Sequence, residues 1–239
     1  MMKTFGNSAF EFLRNLKVDF YLPKGISCLL PFENDEVLKL NKLFYKKYFN
    51  DKNHRKMILG INPGRFGAGV TGISFTDPVK LENDLGIKNS FAKHSELSSD
   101  FIYQMINAFG GPEIFYKKFY MTAASPIGFL KDGKNINYYD DKNLCAGIKD
   151  FIVESIHTQL KFGIDRSVGF CLGEGENFKF LNKLNDEYHF FEQLIPLAHP
   201  RFIMQYRRKF VGNYIEKYLE ALNGTFPDKM SLKKSKKNG

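Results

Sequence analysis

The stretch MILGINPG, residues 57–64, begins with a short apolar run that ends abruptly at Asn-Pro-Gly. A run without a polar position predicts a strand buried on both faces, and the Pro-Gly pair predicts its end. Three further short, mainly apolar runs, at residues 119–123, 168–172 and 190–197, predict three more strands. Apolar residues at helical spacing predict helices at 9–16, 36–49, 101–109, 140–160 and about 205–223. This alternation predicts an α/β fold, a three-layer α/β/α sandwich with a short, mainly parallel central sheet of about four strands.

Composition and charge indicate one globular domain with a basic tail. The chain has 239 residues, of which 43% are hydrophobic and 26% charged, and we expect a single domain at residues 1–227. Residues 228–239 contain five Lys and one Asp, and we expect them to be disordered because like charges repel and little apolar surface anchors them. The tail carries +4 of the net charge of +9, which leaves a modest +5 on the domain. That excess permits binding to nucleic acid.

The sequence lacks the marks of a membrane or exported protein. No apolar run approaches the ~18 residues of a membrane span, and the start has no apolar stretch typical of a signal peptide. Cys28, Cys145 and Cys171 are an odd number without metal-ligand spacing, and we interpret them as reduced thiols. We therefore expect an intracellular, cytoplasmic monomer (nucleoid-associated if bacterial), with no membrane contact, no metal and no cofactor.

Three predicted strands end in breaks that hold polar residues or proline, at residues 62–64, 123–126 and 199–200. Parallel strands have their carboxyl ends at one edge of the sheet, and ligands of open α/β sheets bind beyond that edge. We therefore expect the functional site where these three breaks meet.

The glycines after Asn62 match two nucleotide-binding patterns, but each match lacks its mechanical context. Residues 64–71 form a P-loop pattern in which Val70 replaces the lysine that neutralises phosphate. Residues 67–72 read G-x-G-x-x-G, yet they neither follow a strand directly nor open a helix. A nucleotide-binding enzyme is therefore the less favoured interpretation. The same glycines would let the backbone approach a flat ligand closely.

The identity and spacing of these residues resemble a motif of a known family. GINPGRFG at residues 60–67, followed by TGISF at 71–75, resembles the first motif of the uracil-DNA glycosylase superfamily. The most similar group is the single-strand-selective monofunctional uracil-DNA glycosylases. The pair His199-Pro200 is similar to the start of the second motif, so the resemblance covers about residues 55–222.

The resemblance implies a monofunctional enzyme of base excision repair. Such an enzyme flips a damaged base out of DNA and hydrolyses its N-glycosidic bond, with no metal and no covalent lysine intermediate. The resemblance assigns His199 to the O2 oxygen of the base, where a hydrogen-bond donor stabilises the transition state. It assigns Asn62 to the attacking water, which an amide can position although it is no strong base. The alternatives are a packing role for His199 and an Asx turn at Asn62.

Other residues of the motif are candidates for substrate contacts. Phe75 and Phe66 are candidates for stacking on the base, although either residue could instead belong to the core. Gly64 offers backbone close to the base, and Ser125 lies at another strand end. Arg65 is a candidate phosphate contact.

The segment RFIMQYRRK at residues 201–209 mixes apolar and cationic residues. This mixture fits a wedge that enters the base stack while its neighbours hold phosphates. The candidate DNA contacts are Arg201, Phe202, Ile203, Arg207 and Arg208. An amphipathic helix with Phe202 and Ile203 in the core explains the pattern equally well.

Two positions depart from the family pattern. Ala123 stands where the resemblance places an asparagine that reads the amide edge of the pyrimidine, and alanine has neither donor nor acceptor. Ser125 is the candidate substitute, and deaminated purines such as xanthine or hypoxanthine are candidate substrates beside uracil. Residues 201–203 replace the family's Ser-Pro-Arg. Ala123 also motivates a further alternative, a nucleic-acid-binding protein that keeps the fold without catalysis.

Overall fold

The computed structural model of the protein describes residues 3–225, and the predicted tail, residues 228–239, lies outside them. The helices and strands follow the chain in the order α1 (Phe5–Arg14), β1 (Ile26–Leu29), α2 (Asp35–Tyr48), β2 (Arg55–Gly60), α3 (Ala68–Thr71), α4 (Pro78–Asn83), α5 (Leu97–Ala108), α6 (Pro112–Lys118), β3 (Phe119–Ala123), β4 (Gly128–Lys131), β5 (Lys134–Ile136), α7 (Lys142–Gly147), α8 (Lys149–Leu160), β6 (Ile164–Leu172), α9 (Glu176–Tyr188), β7 (Gln193–Leu197), α10 (Pro200–Tyr206) and α11 (Val211–Asn223). Short 3₁₀ turns occupy Pro31–Glu33 and Arg208–Phe210. None of the helices in this part of the chain is long and apolar enough to cross a bilayer.

The central sheet is parallel and has the strand order β3-β2-β6-β7. Its two first strands explain the apolar runs of the sequence, because every residue of β3 and all but one of β2 are buried. Right-handed crossovers place helices on both faces of such a sheet, with α5 and α6 between β2 and β3 and α9 between β6 and β7. The predicted α/β/α fold with a parallel sheet of four strands is confirmed.

Two predicted helices are divided in the structure. The segment 140–160 forms α7 and α8, separated at Ile148, whose ψ of 3° departs from helical geometry. The segment 205–223, predicted as one closing helix, contains the end of α10, the second 3₁₀ turn and α11. Proline is favoured in the first turn of a helix, where its missing N–H needs no partner. The helix α10 therefore begins at Pro200, directly after His199.

A second sheet is antiparallel, has the order β1-β4-β5 and was not predicted. Asp132 and Gly133 join β4 to β5, with φ values of 50° and 69°. A type I′ hairpin turn requires positive φ at both central residues, and Asp-Gly is one of the dipeptides that favour it. The outer strand, β5, lies beside Asn62, so this sheet forms one side of the site.

Candidate active site

The ends of β2, β3 and β7 meet at one cavity of about 100 Å³. Asn62 follows β2, Ala123 ends β3 and His199 follows β7, and all three residues line the cavity. Strand β3 lies on one side of β2, and the later strands β6 and β7 lie on the other side, so the order in which strands are added to the sheet reverses at β2. Open α/β sheets bind ligands at such a switch point. The three strand ends thus converge as the sequence predicts.

Main-chain atoms at the end of β5, just after it and at Pro63 hold the Asn62 side chain. Its Nδ2 donates to the carbonyl oxygens of Ile136 at 3.2 Å and Pro63 at 3.4 Å, and its Oδ1 accepts the Tyr138 N–H at 3.1 Å. Both amide hydrogens are engaged, whereas Oδ1 keeps a second lone pair for a water or ligand. Tyr138 is 76 residues away in sequence, so Oδ1 is held by a distant segment rather than by an Asx turn.

A buried polar chain continues behind Asn62. The Tyr138 hydroxyl donates to Asn177 Oδ1 at 2.7 Å, and Asn177 Nδ2 donates to the carbonyls of Leu172 at 3.1 Å and Gly60 at 3.4 Å. Asn177 thereby ties the ends of β2 and β6 to the segment that holds Asn62. Tyr138 and Asn177 were not predicted from the sequence.

His199 forms the N-cap of α10, which defines its tautomer. Its Nδ1 accepts the backbone N–H of Arg201 at 3.2 Å. A neutral imidazole whose Nδ1 accepts carries its proton on Nε2, so Nε2–H is the donor. Burial and, to a smaller extent, the Arg201 cation lower the pKa of His199 from 6.5 to about 4, so the ring is neutral at pH 7. Behind the ring, the Tyr218 hydroxyl donates to the Ala198 carbonyl and anchors this turn.

Phe75 packs its ring against the backbone of Gly60. A Cβ on Gly60 would lie 2.6 Å from a ring atom of Phe75, so this contact requires glycine. Phe75 has a φ of 54°, a left-handed value that bulky residues rarely adopt. Its ring centroid is 6.3 Å from that of His199, and the planes differ by 50°. Strain of this kind clusters at ligand sites, which favours a binding role for Phe75.

Two predicted substrate contacts, Ser125 and Phe66, lie outside the cavity, and one predicted DNA contact, Ile203, is buried. Ser125 is fully buried and its hydroxyl donates to the Ile127 carbonyl at 2.7 Å, so it is not available to a ligand. Ile203 is fully buried in α10, which packs against α5, and cannot reach DNA. Phe66 is exposed, with its ring 5.7 Å from that of His94, and does not line the cavity. The core interpretation therefore holds for Ile203, whereas Phe66 belongs to the outer surface.

The sequence and fold of the chain match a known superfamily. The model of the uracil DNA glycosylase superfamily matches residues 46–223. The chain belongs to this superfamily. It is also similar to the crystal structure of wild-type Pedobacter heparinus SMUG2, at 45% sequence identity and a TM-score of 0.91, over 94% of this chain and 99% of that chain. A comparison with curated proteins gives no match. The resemblance to the single-strand-selective monofunctional group is confirmed.

Polar residues from outside the superfamily motifs complete the cavity. Those that the sequence did not predict are Glu96, Ser98, Asn135 and Asn137. They lie at the start of α5 and around β5, where no periodicity marks them, although the Asp-Gly turn was a signal for the hairpin that carries Asn135. Burial, followed by the nearby Asp77, raises the pKa of Glu96, while Arg201 opposes the shift. Within residues 3–225, no group of three or more His, Cys, Asp or Glu residues could hold a metal ion.

Exposed aromatic and cationic side chains cover α10 and the 3₁₀ turn after it in this uracil-DNA glycosylase homologue. Phe202, Tyr206 and Phe210 are 40%, 62% and 56% exposed. The exposed cations are Arg201, Arg207, Arg208 and Lys209. The Arg207 guanidinium lies 5.5 Å from the centroid of the Phe202 ring. This combination suits a surface that holds phosphates and stacks on bases, and Phe202 lies on that exposed surface rather than in the core.

Proposed function

We propose that the protein is a monofunctional DNA glycosylase that flips uracil or a related deaminated base out of DNA. It hydrolyses the N-glycosidic bond of that base and leaves an abasic site. The observation that carries this proposal is the single cavity lined by the Asn62 amide, the neutral His199 imidazole and the Phe75 ring. Membership of the superfamily and the likeness to SMUG2 support DNA-glycosylase chemistry in general.

His199 stabilises the departing base. Its Nε2–H donates to the O2 oxygen of uracil, or to the corresponding acceptor of another base. Negative charge grows on the base as its bond to C1′ breaks, so this hydrogen bond is strongest in the transition state. The pKa of about 4 keeps the donor in one protonation state through the neutral range.

Asn62 positions the water that completes the reaction. Its Oδ1 has one lone pair left, which accepts a hydrogen of the water. The sugar carbon is already electron-poor when the bond is nearly broken, so positioning contributes more than base strength. The water oxygen bonds to C1′, and the proton released passes to solvent or to the departed base.

Phe75 and the α10 surface hold the extruded nucleotide and its strand. The Phe75 ring supplies a stacking face for the base, and Gly64 lines the same cavity without a side chain. Arg65, Arg201, Arg207 and Arg208 are exposed around the entrance or along α10 and supply phosphate contacts. Phe202 is the exposed apolar residue that can act as a wedge.

The cavity argues against the two other interpretations. A binding-only protein has no need to hold Asn62 through three hydrogen bonds or to fix the tautomer of His199. Against the nucleotide-binding enzyme, the glycine pattern at residues 67–72 contains only the four-residue helix α3, and Val70 has no charge to neutralise a phosphate. Ala123 presents a methyl group to the cavity, so xanthine and hypoxanthine are included as candidate substrates.

Cleavage of labelled DNA tests the proposal. The protein is incubated in EDTA with end-labelled single-stranded and duplex oligonucleotides that contain uracil, xanthine or hypoxanthine, and abasic sites are then cut with alkali. We expect cuts at the damaged base only after alkali, because a monofunctional enzyme leaves the strand intact. Uncut oligonucleotides that remain tightly bound would instead support the binding-only protein, and a requirement for added metal would contradict metal independence.

A further inference from the structure

The polar edge of the base has no partner in the reaction described above. Deamination leaves uracil, hypoxanthine and xanthine with a ring N–H beside a carbonyl, which we call the lactam edge. Cytosine and adenine carry the reverse pattern, a ring acceptor beside an amino donor. A site that accepts from N–H and donates to C=O therefore favours these three bases over cytosine and adenine, which leave both groups unpaired, whereas thymine and guanine carry the same edge and are not excluded by it. Ala123 has neither group, and the Ser125 hydroxyl is engaged with Ile127.

A donor and an acceptor face the space over Gly64. Glu96 Oε1 lies 3.1 Å, and Asn135 Nδ2 lies 3.3 Å, from the point that a Cβ on Gly64 would occupy. The two side chains come from different elements, Glu96 from the start of α5 and Asn135 from β5. Both line the cavity together with Asn62 and His199. Because Gly64 has no side chain, the space between this pair is open to a ligand.

Contacts at other atoms of the two residues hold the Glu96 carboxylate and the Asn135 Nδ2 group in place. The Arg65 N–H donates to Asn135 Oδ1 at 3.1 Å, which orients the amide and leaves its Nδ2 as the outward donor. The backbone N–H of Glu96 donates to Asp77 Oδ2 at 2.8 Å. The Glu96 carboxylate packs on Gly67, where a Cβ would overlap Oε2. Among the described residues, no hydrogen bond reaches the Glu96 carboxylate and none leaves Asn135 Nδ2.

We propose that Glu96 and Asn135 read the lactam edge of the extruded base, with Glu96 accepting from the ring N–H and Asn135 Nδ2 donating to the carbonyl oxygen. The pair takes over the role of the base-reading asparagine, in whose place Ala123 stands. It serves uracil, hypoxanthine and xanthine alike because all three share this edge. This inference rests on the proposed glycosylase function.

The neighbouring groups are compatible with this role. The charged residues that act on Glu96 are Asp77 and Arg201, and burial is the largest cause of its raised pKa. In either protonation state the carboxyl group keeps an oxygen that accepts a hydrogen bond. The amide of Asn137, which also lines the cavity, donates to Asp140 and is less available.

A ratio of two dissociation constants isolates contacts to the base. One oligonucleotide carries 2′-fluoro-2′-deoxyuridine, whose glycosidic bond resists cleavage, and the other carries a tetrahydrofuran abasic analogue at the same position. The two ligands share every phosphate contact. The ratio of Kd for the abasic analogue to Kd for the uridine oligonucleotide, called the Kd ratio below, therefore reports contacts to the base alone. The experiment is repeated with 2′-fluoro-2′-deoxyinosine in place of the uridine.

Three variants change the hydrogen-bonding groups that face the cavity, and two of them, Asn135→Asp and Glu96→Gln, keep the size of the side chain. Asn135→Asp turns the donor into an acceptor, and Glu96→Ala removes the acceptor, whereas Glu96→Gln retains an accepting oxygen. We expect Asn135→Asp and Glu96→Ala to reduce the Kd ratio about 10- to 100-fold for both bases, with unchanged Kd for the abasic analogue. Glu96→Gln should restore most of the ratio. Glu192→Ala, at an exposed glutamate outside the cavity, is the control and should bind as the wild type does.

The outcomes separate this inference from the proposed function. An unchanged ratio in Asn135→Asp and Glu96→Ala, or an equal loss of affinity for both ligands, overturns the reading role. If these results accompany normal wild-type cleavage of uracil, the glycosylase function stands and only the inference fails. Absence of wild-type cleavage overturns the glycosylase function instead, whatever the binding ratio.

Discussion

The strongest quantitative prediction concerns the protonation of His199. Burial and the Arg201 cation lower its pKa to about 4 in the folded protein, against about 6.5 in the unfolded chain. The unfolded chain therefore binds more protons between these two values. The stability contributed by the neutral His199 is fully present above pH 6.5 and is lost as the pH falls towards 4.

The size of the effect follows from the same two pKa values. At pH 5 the pH lies about 1.5 units below the pKa of the histidine in the unfolded chain, which is therefore protonated, while His199 in the folded protein is still mostly neutral. At about 1.36 kcal/mol per unit, the free energy of unfolding falls by about 2 kcal/mol between pH 7 and pH 5 on account of this residue. His199 keeps partial exposure to solvent, so this figure is an upper bound.

Denaturant unfolding of the wild type and His199→Gln at pH 7 and pH 5 measures the effect. The wild type and the variant share all other titrating groups. The difference between their changes in the free energy of unfolding from pH 7 to pH 5 is therefore the contribution of His199. We expect the variant to lose up to about 2 kcal/mol less than the wild type over this range. His54→Gln, at an exposed histidine, is the matched control. Equal pH dependence in the wild type and His199→Gln would refute the buried neutral imidazole.

Three other substitutions test the site. Asn62→Ala should slow single-turnover cleavage about 10²-fold through loss of water positioning, while Kd for an uncleavable oligonucleotide is retained; a wild-type rate would remove Asn62 from the mechanism. Gly60→Ala places a Cβ 2.6 Å from the Phe75 ring and should also slow cleavage about 10²-fold, whereas Gly175→Ala, with open space around it, should have no effect; equal rates in the two would contradict the stacking role. Arg208→Ala should lower the slope of log Kd against log salt by about 1, and an unchanged slope would place Arg208 off the DNA.

Burial explains why part of the fold and site could be predicted from the sequence. All five residues of β3 are buried and four of them are hydrophobic, and the predicted bounds of the strand, 119–123, match the observed ones. Asn62 and His199 each follow a strand of the parallel sheet, and this geometry alone places them at a common edge. The sequence could not give the direction of a side chain at that edge. The Ser125 hydroxyl turns inward to Ile127 although its strand ends beside the cavity.

The remaining residues of the site depend on contacts between distant segments. β5 has only three residues and no apolar alternation, and it exists because it pairs with β4 across the Asp132-Gly133 turn. Glu96 has no periodic signal either. Its position depends on the hydrogen bond from its backbone to Asp77, 19 residues earlier in the chain. Packing of this kind is not encoded in any local pattern.

If Asn135 reads the base as proposed, the short hairpin strand β5 separates catalysis from base selection. Asn62 is held by the carbonyl of residue 136 and the N–H of residue 138, which are main-chain atoms that any side chain at 135 or 137 leaves in place. The side chain of Asn135 projects from the same strand towards Gly64, where a different residue would present different hydrogen-bonding groups to the base. Substitution on this hairpin can therefore change which base is accepted while the catalytic amide keeps its position. The methyl group of Ala123 is compatible with such a division, because the reading groups then come from the hairpin and α5 instead of the end of β3.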